Sequence, residues 1–221
     1  AVPSALVAAL TRAESACEMA WRQAKPKGDF AAALPALAEV LRLTVEMGQA
    51  KAARLGTGLY DALLDQYEPQ GRAADIDPVF ADLAAFLPGA IDRAMARQAQ
   101  DPATAPPGPF PIDRQRGLSL ELMRRIGFPF EQGRLDVSRH PFSGGTPDDL
   151  RITTRYDEAD FARALMGTLH ETGHAMYEAG LPKPWRRQPV GEARGMALHE
   201  SQSLLLEMQV CRSREFVAFA A

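Results

Sequence analysis

His170-Glu171-Thr172-Gly173-His174 combines residue types and a spacing suited to metal-assisted hydrolysis. Histidines at i and i+4 share one face of a helix, one turn apart, so both imidazoles can reach one ion. Zinc takes imidazole nitrogen at roughly 2.0–2.1 Å, so the two rings must converge tightly. Glu171 points in a flanking direction. There a carboxylate can accept a proton from a metal-activated water without itself becoming a ligand. The competing reading is a surface helix that happens to carry two histidines. The neighbours Thr168, Leu169, Thr172, Gly173 and Ala175 are uncharged, which suits a buried helix better than a solvated one.

A catalytic zinc usually has three protein ligands and one open position. The remaining histidines, His140 and His199, and the carboxylates Glu192, Glu200 and Glu207 are the candidates for the third ligand. Glu200 would complete a His2Glu site of the gluzincin type. Its neighbour His199 projects about 100° away on the same helix, and spacing alone does not choose between them.

Several elements must hold these groups. Asp157 is expected to cap the metal helix, with Asp160 in its first turn. Phe161, Leu165, Leu169 and Met176 mark its buried side, and Gly180 and Pro182 its end. A second helix is expected from near Gly191 through Glu207. Upstream, Leu135–Ser138 and Leu150–Tyr156 are β-prone, and Pro141, Gly144, Gly145 and Pro147 between them are turn residues. This pattern predicts two short strands in an antiparallel pair. Arg151, Thr153 and Arg155 would lie on one face, and Ile152, Thr154 and Tyr156 on the other.

The first hundred residues read as helical. Leu34, Leu37, Leu41 and Val45 form one stripe at helical spacing, in a helix starting at Gly28-Asp29. Gly56–Gly58 breaks the next segment, and Tyr60–Tyr67 is a short helical run. Asp77-Pro78 is expected to start another helix, continued by Phe80, Leu83, Leu87 and Ile91, with Pro88 a kink or stop. Asp101–Pro111 holds five prolines and a glycine and reads as a linker. Leu118–Ile126 is a further short helix. The fold expected is mainly α, with a small antiparallel β-element beside the site. Residues 1–221 would form one metallopeptidase domain, with a helical part at 1–100, the linker at 101–111 and a metal-site part at 112–221.

The 221 residues are 46% hydrophobic and 24% charged, ordinary for a soluble globular protein. A net charge of -3 gives no reason to expect nucleic acid or an anionic membrane as partner. Apolar runs such as Leu204–Leu206 are far too short to span a bilayer. Ala1–Leu10 lacks the basic start of a secretory leader. Cys17 and Cys211 lie far apart and predict free thiols, with a cytoplasmic location as the default.

Four motifs stand in order between Leu135 and Gln209: His140-Pro141-Phe142, Asp149-Leu150-Arg151-Ile152-Thr153, His170 to His174, and His199-Glu200-Ser201-Gln202. Over this stretch the chain resembles the carboxypeptidase Taq family of zinc metallocarboxypeptidases. There the motifs are HPF, DxRxT, HExxH and HESQ. Tyr60–Asp65 and Tyr67-Glu68-Pro69 extend the resemblance towards the N-terminus. It implies that His170, His174 and Glu200 are the metal ligands and Glu171 the general base. It further implies release of C-terminal residues from peptides with a free C-terminus, a homodimer, and Zn2+ as cofactor. An N/O site of this kind also accepts Co2+ or another divalent ion.

The family's IRxxAD and GxxQDxHW motifs do not occur in this sequence. The chain is therefore expected to be an incomplete, middle portion of such an enzyme. Arg151 and Arg155 are candidates for substrate binding, because a guanidinium fork matches a terminal carboxylate, and His140, before Pro141, is a candidate to line the cleft. The alternatives are a turn histidine for His140 and an ion pair with Asp149 for Arg151.

Overall fold

The structure, a computed structural model, describes residues 2–102 and 106–220. Residues 103–105 of the Asp101–Pro111 segment lie outside the described residues. Two compact units divide the chain, Ala1–Ala96 and Arg97–Ala221.

The first unit is helical. Helix α1 (Ser4–Ala24) packs on α2 (Phe30–Leu55), and α2 packs on α3 (Leu59–Leu64). Asp29 caps α2 by accepting from the Ala32 N–H. Ala33, Leu43 and Gly48 are the buried positions of α2, whereas Leu34, Leu41 and Val45 of the expected stripe are exposed.

Helix α4 (Ala73–Gln100) differs from expectation. It starts before Asp77-Pro78, because the Asp61 carboxylate accepts the Ala73 N–H at 2.9 Å. It also runs on through Pro78 and Pro88. Each proline removes one main-chain hydrogen bond, and the bonds on either side carry the helix past it. Phe80, Leu83, Leu87 and Ile91 are exposed.

The second unit surrounds the metal helix. It contains α5 (Ile112–Ile126), β1 (Gly133–Val137), β2 (Phe142–Thr146), β3 (Asp149–Thr154), α6 (Phe161–Gly180), α7 (Met196–Leu204) and α8 (Arg214–Ala220). A single turn of π-helix, Leu205–Val210, follows α7.

The sheet order is β1-β3-β2. The two expected strands do pair, but in parallel, with Gly133 opposite Leu150 and Val137 opposite Thr154. The glycine-rich segment between them is itself β2, antiparallel to β3. The chain therefore leaves β1 along Ser138–Pro141, returns as β2, and turns once more into β3. At Gly145 φ is +104° and a Cβ would strike the Asp149 carbonyl, so glycine allows the strand to close there.

Helix α6 is held on two sides. Met123, Phe128, Leu135, Leu150, Ile152 and Ala175 form one apolar cluster between it and the sheet. Leu122, Leu165, Leu169 and Cys211 form another, against α5 and the segment after α7. Fully burying a side chain such as Leu169 contributes roughly 1.5–3 kcal/mol. Asp160, not Asp157, caps α6 by accepting from the Arg163 N–H at 3.1 Å. Asp157 instead closes the preceding turn onto the Ala159 N–H. The buried hydroxyls of Thr168 and Thr172 donate to the carbonyls of Ala164 and Thr168, four residues back. Thr154 of β3 also donates to the Ala164 carbonyl. In this way α6 is fixed to the sheet by polar as well as apolar contacts.

Candidate metal centre

His170 and His174 leave α6 one turn apart, with their Nε2 atoms 3.2 Å from each other. Glu200, from α7, places Oε2 3.2 Å from His174 Nε2 and Oε1 3.8 Å from His170 Nε2. Neighbouring ligand atoms of a tetrahedral site with bonds of roughly 2.0–2.1 Å lie about 3.3 Å apart. Among the described residues these three form the one cluster able to hold a metal ion.

The donor chemistry fits the geometry. Each imidazole turns Nε2 inward and gives Nδ1 to a partner. His170 Nδ1 lies 3.0 Å from Glu207 Oε2. His174 Nδ1 lies 2.7 Å from His199 Nδ1, and His199 Nε2 lies 2.9 Å from Glu178 Oε1. Ligand histidines commonly carry such partners, which fix the ring and its tautomer. Burial lowers the His174 pKa, and His199 and His170 nearby lower it further. The neutral ring, the form that ligates a metal, is thereby favoured.

Glu171 is buried, with 8% of its surface exposed. Burial raises its pKa above the usual carboxylate range. The nearby Glu200 pushes the same way, while His170 and the Ser143 backbone N–H oppose. That N–H comes from β2, so the strand hidden in the turn-like segment reaches the carboxylate flanking the metal ligands.

The close approach of α6 and α7 depends on Gly173. A Cβ there would lie 2.5 Å from the Gln202 carbonyl oxygen and 2.5 Å from the Ser203 Cα. This glycine therefore lets Glu200 come within ligating range of His174.

The other candidates lie elsewhere. His140 is exposed, and its backbone carbonyl accepts from the hydroxyls of Ser138 and Thr153. Thr153 also accepts the Phe142 N–H, so the HPF and DxRxT motifs are stitched together at the entry to β2. Arg151 is engaged by Asp149 through Nε at 2.6 Å and Nη2 at 2.9 Å. Glu192 is not part of the cluster. Arg186 pairs with Asp148, which joins the loop after α6 to the β2–β3 turn.

Three features were missed in the sequence. Glu178 stands one helical turn beyond His174, and that spacing is a signal for it. Glu207, a candidate ligand by sequence, instead supports a ligand: the π-helical turn carries it to His170, with Arg212 Nη2 2.7 Å from its other oxygen. Such turns recur at functional sites. The Ser143 N–H had no signal at all.

Comparison with known proteins accords with this centre. The sequence profile of the Carboxypeptidase Taq (M32) metallopeptidase family matches residues 1–221. This chain belongs to that family. It is 42% identical over 224 residues to thermostable carboxypeptidase 1 of Thermus thermophilus, covering 98% of this chain and 44% of that protein. Trypanosoma cruzi metallocarboxypeptidase 1 superposes with a TM-score of 0.87 at 39% identity, over 96% of this chain and 43% of that one. The M32 carboxypeptidase from Deinococcus radiodurans R1 gives 0.84 at 33% identity, over 98% and 43%. The chain thus spans less than half the length of the relatives it matches. Membership of a metallopeptidase family implies a divalent metal, and His170, His174 and Glu200 are placed to hold it. Among the described residues, no helix is long and apolar enough to cross a membrane.

Proposed function

We propose that this chain carries the metal ligands and general base of a zinc-dependent carboxypeptidase that releases C-terminal amino acids from peptides. The observation that carries the reading is the convergence of His170 Nε2, His174 Nε2 and the Glu200 carboxylate beside the buried Glu171. The names of the relatives support the choice of C-terminal over internal cleavage.

A zinc ion held there supplies Lewis acidity to the scissile carbonyl and to the attacking water. Glu171 takes the proton of that water on its carboxylate and delivers it to the leaving amine. Its raised pKa brings it closer to the working pH, where a group can both accept and return a proton. The Ser143 backbone N–H acts against that rise and limits it. His140 could line the cleft. Arg151 is committed to Asp149 and is not assigned the substrate's terminal carboxylate. Cobalt or another divalent ion would suit the same N/O donors. A homodimer acting on peptides with a free C-terminus completes the reading.

The test is mass spectrometry of an N-blocked peptide incubated with the protein and zinc, with and without chelator. Stepwise loss of single C-terminal residues, stopped by chelator, is expected. Internal cuts would replace the reading with an endopeptidase. Zinc binding without cleavage would mean that these 221 residues hold the metal but do not suffice for turnover.

A further inference from the structure

We propose that Glu178 and His199 act as positioning residues, forming a relay that fixes His174 as a metal ligand; this rests on the metal-site reading above. The contacts are His174 Nδ1 to His199 Nδ1 at 2.7 Å and His199 Nε2 to Glu178 Oε1 at 2.9 Å. A carboxylate can only accept hydrogen bonds, and a neutral imidazole carries one N–H and one acceptor nitrogen. The Glu178 carboxylate therefore holds the His199 proton at Nε2. His199 Nδ1 is left as an acceptor, and its partner must donate, so the His174 proton sits at Nδ1. That leaves the His174 Nε2 lone pair free for the ion. Reversing either tautomer sets two N–H groups, or two lone pairs, against each other.

The parts are arranged for this task. Glu178 lies one turn beyond His174 on α6, while His199 precedes Glu200 on α7. Tyr177 packs edge-on against the His199 ring, with centroids 5.0 Å apart. The relay thus ties α7 to α6 at the residue beside the third ligand. His170 has a separate and direct support in Glu207, so the two ligand rings are oriented independently.

The experiment measures Zn2+ affinity by competition with a chromophoric chelator, together with thermal unfolding of the metal-free proteins. Glu178→Ala and His199→Phe are each expected to weaken zinc binding about 10–100-fold. The double variant should be no weaker than His199→Phe alone, because the carboxylate acts only through the ring. Glu178→Gln, whose amide oxygen accepts the same N–H, should recover most of the loss. Metal-free unfolding should separate these effects from general damage, with Glu178→Gln and Glu178→Ala unfolding alike while differing in zinc affinity. Full affinity in Glu178→Ala, additive losses in the double variant, or no recovery in Glu178→Gln would each overturn the relay. A wild-type protein that binds no zinc would instead overturn the metal-site reading beneath it.

Discussion

Gly173→Ala places one methyl group in the gap between α6 and α7. The added carbon would meet the Gln202 carbonyl oxygen and the Ser203 Cα, each at 2.5 Å. Ordinary contact between carbon atoms needs about 3.5–4.0 Å, so the helices must separate by roughly 1 Å. Both obstructing atoms are backbone, so no side-chain rotation relieves the clash. Glu200 rides on α7, and its Oε2 now stands 3.2 Å from His174 Nε2. A 1 Å displacement would stretch that separation well past the roughly 3.3 Å edge of a tetrahedral zinc site. Overpacking of this kind costs about 1–3 kcal/mol, which for a domain of this size lowers Tm by several degrees, at about 2–4 °C per kcal/mol. Zinc affinity should fall along with stability. Gly180→Ala is the control, since a Cβ at Gly180 meets nothing within 4 Å, and it should leave both properties near wild type. Calorimetry and chelator competition on the two variants make the assay. A Gly173→Ala protein with wild-type Tm and wild-type zinc affinity would refute the argument that close helix approach builds the site.

Glu171→Gln keeps the shape of the side chain and removes the carboxylate proposed as the base. It should retain zinc while hydrolysis falls at least about 10²–10⁴-fold; a variant that loses its zinc would mean Glu171 is itself a ligand. Cys211 is 3% exposed, and burial, reinforced by Glu207, pushes its thiol up to about 11. Near pH 8 it should resist alkylation in the folded protein and react only after unfolding, as counted by intact mass. The folded state holds that proton longer than the unfolded chain does, so this group's contribution to stability is present at neutral pH. It is lost as pH rises from the ordinary thiol range towards 11. Denaturation midpoints for wild type and Cys211→Ala should therefore converge as pH rises through that window.

Much of the site was legible because its chemistry is local in sequence. The i, i+4 histidines, the flanking glutamate and their uncharged neighbours lie on one helix. Thr168, Leu169, Thr172, Gly173 and Ala175 are all buried there. The strand directions were not legible. Alternation in Leu150–Thr154 assigns faces but says nothing of whether a partner runs parallel, and Gly144-Gly145 in β2 has the composition of a turn. The N-terminal stripes misled for another reason. Helix α2 is apolar on more than one side, so Leu34, Leu41 and Val45 could not be told from the buried Ala33 and Leu43 by spacing. Of the groups behind the ligands, Glu178 is signalled by its spacing one turn beyond His174 and His199 by its place beside Glu200, but which atom each meets, and the role of Glu207, depend on how α7 and the π-helical turn cross α6, and that is tertiary information.

Crystallography of the zinc-loaded protein, with data collected on both sides of the zinc absorption edge, would locate the ion and its ligands. One anomalous peak is expected, bonded to His170 Nε2, His174 Nε2 and a Glu200 oxygen, with Glu171 and His199 outside bonding distance. A peak ligated by His199 or Glu207 in place of Glu200, or zinc bound away from His170 and His174, would contradict that assignment.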